Sequence, residues 1–112
     1  MNINNWLELF KKYWIDGDIE SVTSLFSKDV EYFETPERKL KNIDEIKSEW
    51  AVVKNQDEIE LELNLIGDID GVYDVEWKLS YYKQGQMHKY KGIYKIRLNE
   101  SGKCNYFVQI EG

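Results

Sequence analysis

One cysteine, one proline and one histidine are all that this 112-residue sequence contains of those residue types. A lone Cys104 can close no internal disulfide, so the expected setting is the reducing cytoplasm. One cysteine and one histidine cannot assemble a zinc site, and the sequence implies no metal and no cofactor. Basic residues are outnumbered, 15 against 21 acidic ones, for a formal charge of −6. Nucleic acid and anionic membrane, which recruit clustered Lys and Arg, are therefore not expected partners. Long apolar runs are missing too. The opening MNINNWLELF has neither a basic start nor an uninterrupted apolar segment, so neither signal peptide nor membrane span is expected. With no repeat, linker or low-complexity tract, residues 1–112 read as one domain.

Aromatic side chains are plentiful by contrast: four Trp, eight Tyr and four Phe in a chain that is 42% hydrophobic. A single domain of this length buries roughly 65% of its unfolded surface. Aromatic residues serve such cores and also line ligand pockets.

Periodicity divides the chain in two. Ile3, Trp6, Leu7, Phe10 and Trp14 fall on one helical stripe, with asparagines ahead of it as caps and Gly17 behind it as a stop. Asp18 is placed to cap a second helix carrying Val22, Leu25 and Phe26. A short alternating strand, Asp29–Glu34, follows until Pro36 interrupts it. Asn42 then heads a third helix with Ile43, Ile46, Trp50 and Val53. After Gln56 the period changes from about 3.6 to two. Ile59, Leu61, Leu63 and Leu65 alternate with Glu58, Glu60, Glu62 and Asn64. Val75, Trp77 and Leu79 mark the next strand, His88, Tyr90, Tyr94 and Ile96 a third, and residues from Cys104 to Glu111 a fourth. Three helices and then four strands predict an α+β domain: a curved antiparallel sheet wrapped around the helices.

Strand register follows from parity. A two-residue turn at Asp70-Gly71 would set leucines against charged residues, so a five-residue loop, Gly67–Gly71, is expected, with Leu61 opposite Trp77. Gln84-Gly85 suits the next turn and places Trp77 opposite Gly92 and Val75 opposite Tyr94. Asn99–Gly102 suits the last, with Tyr94 opposite Phe107, Gly92 opposite Gln109 and Tyr90 opposite Glu111. Gly92 would then leave a gap in mid-sheet. Around it Phe10, Trp14, Trp50, Trp77, Tyr90, Phe107, Gln109 and Glu111 are the expected ligand-lining residues, with His88 nearer the rim. On the outer face Glu58, Glu60 and Glu62 charge one side and Lys89, Lys91, Lys95 and Arg97 the other, while along the last strand Tyr106, Val108 and Ile110 beside Ile93 form an apolar patch. A homodimer through that face is expected. Asp68, Asp70 and Asp74 lack the further ligands of a calcium loop and read as a polar hairpin.

The segment KKYWIDGDIESVTSLFSKDVEYFETP, the sequence Leu40, Asn42, Ile46, Trp50, and the closing IRLNESGKCNYFVQIEG together resemble the nuclear transport factor 2-like superfamily. The resemblance is to its SnoaL-like and ketosteroid-isomerase-like members. It spans essentially the whole chain and implies a cone: a bent sheet around helices, a pocket at the wide end and frequent dimers. In the isomerases the general base is an aspartate just before the proline after the first strand, which falls at Glu34. Their first-helix tyrosine falls at Phe10, which cannot donate a hydrogen bond. Their protonated aspartate falls at Tyr94, whose phenol can. In SnoaL-like cyclases the acidic residue sits elsewhere in the pocket, matching Glu111 or Glu34. The resemblance thus implies a small, largely apolar ligand in the cone. It offers as alternatives an isomerase or cyclase with Glu34 as base and Tyr94 as oxyanion donor, or a dimeric adaptor with a vestigial pocket.

Overall fold

The computed structural model describes residues 2–51 and 57–112. Helix α1, Ile3–Asp16, is capped by Asn2, whose side chain accepts from the Asn5 N–H at 2.9 Å. It stops at Gly17, which adopts φ +67°, a conformation that costs a residue with a Cβ. Asp18 caps α2, Ile19–Thr23, and Asn42 caps α3, Ile43–Trp50, each through a side-chain oxygen accepting a backbone N–H. Ile46 and Trp50 are the buried positions of α3. Val53, assigned to the same stripe, lies outside the described residues.

The six strands are β1 (Phe26–Thr35), β2 (Arg38–Leu40), β3 (Asp57–Ile69), β4 (Val72–Lys83), β5 (Gln86–Leu98) and β6 (Cys104–Glu111). They form one curved, unclosed sheet in the order β2-β1-β6-β5-β4-β3, against which the three helices pack. The α+β expectation holds, with one correction to its connectivity. β1 lies parallel to β6, with Tyr32 beside Phe107, and every other pair is antiparallel. The chain leaves β1 through α3 and the whole β3–β6 meander before returning, so no hairpin sets this pair. β2 has no alternating pattern to mark it, because it is three residues long and starts two positions after Pro36.

Phe10 centres the core. It meets Trp6, Trp14, Trp50, Tyr94 and Phe107 with ring centroids 5.1–6.0 Å apart, mostly edge to face, the arrangement that ring quadrupoles favour. The Trp6 indole donates to Leu25 O at 3.1 Å. Cys104 is fully buried, its Sγ donating to Tyr106 O at 3.1 Å, and burial pushes the thiol up to about 12. A thiol so placed is held protonated and unreactive.

Two registers differ from expectation. Asp70-Gly71 does form a two-residue turn: both residues have positive φ, +54° and +80°, and Ile69 pairs with Val72, the type I′ geometry that matches strand twist. A bulge between Leu65 and Gly67 inserts the extra residue that restores parity, so Leu63 rather than Leu61 faces Trp77, and Leu61 faces Leu79. A bulge and a longer loop are equivalent ways to shift a face by one position. Gln84-Gly85 is a second such turn, and Trp77 faces Gly92 as parity requires. At the last hairpin an irregularity after Arg97 slides β6 by two residues, which preserves the inward face but changes the partners. Tyr94 faces Gln109, Ile96 faces Phe107 and Gly92 faces Glu111, correcting the Tyr94–Phe107, Gly92–Gln109 and Tyr90–Glu111 expectations.

The gap expected at Gly92 is filled. A Cβ there would stand 1.9 Å from Ile110 O and 2.8 Å from the Trp77 ring, so the missing side chain serves close approach of β6 and the indole. Among the described residues no helix is long and apolar enough to cross a membrane, and no cluster of His, Cys, Asp and Glu could hold a metal ion.

Candidate functional site

Alternation along β1 sets the site. Tyr32 points inward against Phe107, with rings stacked at 4.8 Å, and Glu34, two residues on, shares that face. β4 contributes Trp77, Leu79 and Tyr81, β5 Tyr90 and Tyr94, and β6 Gln109 and Glu111. Trp14 closes the space from α1, and Glu49 and Trp50 close it from α3. Together they line a cavity of about 280 Å³ between the helices and the sheet.

Of the residues expected at the site, Glu34, Tyr94, Trp14, Trp50, Trp77, Tyr90, Gln109 and Glu111 meet at this cavity. Phe10 and Phe107 do not. They are 0% and 1% exposed and sit behind the wall, where they support Tyr94 and Tyr32. His88 stacks on Tyr81 at 5.2 Å, beyond the lining. Tyr32, Glu49, Leu79 and Tyr81 join the lining without having been singled out. Period-two counting back from Glu34 and on from Trp77 reaches Tyr32, Leu79 and Tyr81. Glu49 carries no such signal, since it lies off the stripe of Ile46 and Trp50.

The polar groups are unevenly placed. Glu34 and Glu49 are bridged by Arg38, which makes a close ion pair with Glu34 and lies 3.4 Å from Glu49 Oε1. Burial raises the Glu34 carboxyl above the ordinary carboxylate range, the neighbouring Glu49 carboxylate raises it further, and the Arg38 guanidinium opposes both. The result is an acid able to hold or accept a proton nearer neutrality than a surface glutamate. Burial likewise raises the Tyr32 and Tyr94 phenols, so both stay protonated. The indole N–H groups of Trp50 and Trp77 are buried and have no hydrogen-bond partner among the described residues. Trp50 favours the Tyr32 phenolate and so opposes the effect of burial on it. Both indole nitrogens are inaccessible, so they belong to the packed wall rather than to the cavity surface.

A larger hollow, about 520 Å³, is lined mainly by outer-face side chains, Glu60, Glu62, Lys78, Lys89 and Lys91. Its volume exceeds that of the inner cavity, but charges of both signs line it, whereas the inner cavity is walled mainly by aromatic side chains and is the better candidate.

No protein-family profile and no curated protein sequence matches the chain. Solved structures do. An NTF2-like protein of unknown function from Exiguobacterium sp. 255-15 superposes with a TM-score of 0.80 at 17% identity, over 96% of this chain and 98% of that one. A candidate polyketide cyclase from Xanthomonas campestris pv. campestris gives 0.78 at 11% identity, covering 97% and 89%. An LEH-like epoxide hydrolase from M. tuberculosis gives 0.77 at 10%, covering 96% and 80%. At such identities the likeness establishes architecture and leaves chemistry to the residues themselves. The bent six-stranded sheet closed over three helices is the nuclear transport factor 2-like fold.

Proposed function

We propose that this chain binds a small, largely apolar molecule in the inner cavity. The observation that carries this reading is an aromatic-walled space of about 280 Å³ with Glu34, Gln109 and Glu111 among its lining residues. A core that was merely well packed would leave no such space. Titration with cyclohexanone, a compact apolar acceptor, followed through the indole N–H signals by ¹⁵N NMR, tests it. The Trp50 and Trp77 signals are expected to shift, while that of Trp6, already bonded to Leu25 O, stays in place. An unchanged spectrum at millimolar ligand would refute the reading.

A second reading adds turnover: Glu34 removes a proton beside a carbonyl and Tyr94 donates to the enolate oxygen. The raised Glu34 carboxyl, set in the same cavity as the protonated Tyr94 phenol, favours it. The relatives described as a cyclase and an epoxide hydrolase show that this architecture accommodates enzymes. The adaptor reading has less support, because it needs a cavity filled by side chains.

The outer face of the sheet supports a two-fold homodimer. Val108 is buried there beside Phe33 of β1, and Ile93, Tyr106 and Ile110 are half-buried around it. Glu60 and Glu62 on β3 and Lys89 and Lys91 on β5 lie to one side of this patch, joined in rows through Ser80 and Lys78. A two-fold axis through the patch would cover it with its own copy and leave these charges solvated. Sedimentation equilibrium is expected to give twice the 13.4 kDa chain mass, with Ile110→Lys restoring the monomer. A wild-type monomer at tens of micromolar would remove this interface.

A further inference from the structure

We propose that the molecule taken up by the inner cavity is an organic cation, a protonated or methylated amine on a small apolar skeleton. This rests on the small-molecule reading above and names the chemical class.

Two features of the cavity point there. Seven of its twelve described lining residues are aromatic, and ring faces attract cations through their quadrupole. The planes are varied: Trp14 and Trp50 meet at 84°, whereas Trp77 and Tyr94 are stacked at 20°. A compact cation can therefore meet more than one ring orientation. Second, Glu34, Glu49 and Glu111 lie in the lining, and among the described residues no Lys, Arg or His does. Arg38 stands outside it, 59% exposed at its side chain, and offsets one carboxylate. Negative charge remains in excess. An anion would be repelled, and a neutral ligand would leave the Glu34–Glu49 repulsion in place, whereas a cation relieves it. The outer hollow, with lysines and glutamates interleaved, offers no such selectivity.

Choline and 3,3-dimethylbutan-1-ol test the class, because they share shape and hydroxyl and differ in charge alone. Affinities would be read from the Trp50 and Trp77 indole signals at low ionic strength. Choline is expected to bind about tenfold tighter or more, with the preference falling as salt is added. Glu49→Gln should cut that preference severalfold and leave the alcohol's affinity unchanged. Should that variant fail to fold, Glu111→Gln, at the exposed end of β6, replaces it. Equal binding of the two probes, or tighter binding of the alcohol, overturns the cation class while the small-molecule reading stands. Binding of neither also overturns it. The cyclohexanone titration then decides whether the small-molecule reading falls too.

Discussion

Gly92→Ala is expected to cost about 4 kcal/mol or more, at the upper end of what single substitutions do, and to lower the midpoint of thermal unfolding by roughly 15 °C. The reason is space. A methyl at this position would sit 1.9 Å from the carbonyl oxygen of Ile110 and under 3 Å from two Trp77 ring atoms. The first obstacle is backbone in the neighbouring strand and cannot rotate away. The second is a buried indole stacked on Tyr94. Relief requires β6 to move off β5, which breaks the ladder that holds Gln109 and Glu111 at the cavity. Gly85→Ala is the control: Gly85 has open space around it but adopts φ +76°, so its replacement should cost only about 1 kcal/mol. Circular dichroism melts of the two variants make the comparison. Similar melting points would show that strands β5 and β6 do not approach so closely at position 92.

Glu34→Gln is the second large effect. With a substrate carrying an acidic C–H beside a carbonyl, turnover is expected to fall about 100-fold, while affinity for a neutral ligand stays within a few-fold. The amide keeps the shape and loses the base. Steady-state rates of wild type and variant measure it, and equal rates would place any chemistry elsewhere. The same substitution alters how stability depends on pH. Folding raises the Glu34 carboxyl above its ordinary value of 4.5 through burial and Glu49. Between the unfolded and folded values the native state therefore holds the extra proton. Its stabilising contribution is complete below the unfolded value and is lost as pH rises through the folded one. Glu34→Gln has no proton to lose, so the difference in melting temperature should move in its favour as pH climbs from 4 to 7. A constant difference would mean that Glu34 titrates as a free glutamate.

Much of this was legible in the chain because local rules fix local features. Asn2, Asp18 and Asn42 announce their helices, and each caps through a side-chain oxygen. Gln84-Gly85 joins two alternating runs with two residues, which forces Trp77 opposite Gly92. The misreadings came where a second solution satisfies the same rule. Parity demanded a one-residue shift between β3 and β4, and a bulge at Ile66 supplies it as well as a longer loop would. The slide of β6 by two residues keeps every inward side chain inward, so alternation alone could not expose it. Placement of Glu34 in the cavity depends on β1 lying beside β6, a pairing between distant segments with no turn to betray it. Phe10 and Phe107 illustrate a further limit: a stripe shows that a residue faces inward, and only packing depth separates a wall from what stands behind it.

That β1–β6 pairing has a bearing on synthesis. Tyr32 waits for Phe107, so β1 cannot be seated until the chain has been made as far as β6. Until then the large rings of α1 and β1 have no sheet to cover them, and a ribosome-bound chain would present them to holding factors instead. Closure in one late event, rather than growth from the leading end, follows from where that single parallel ladder joins.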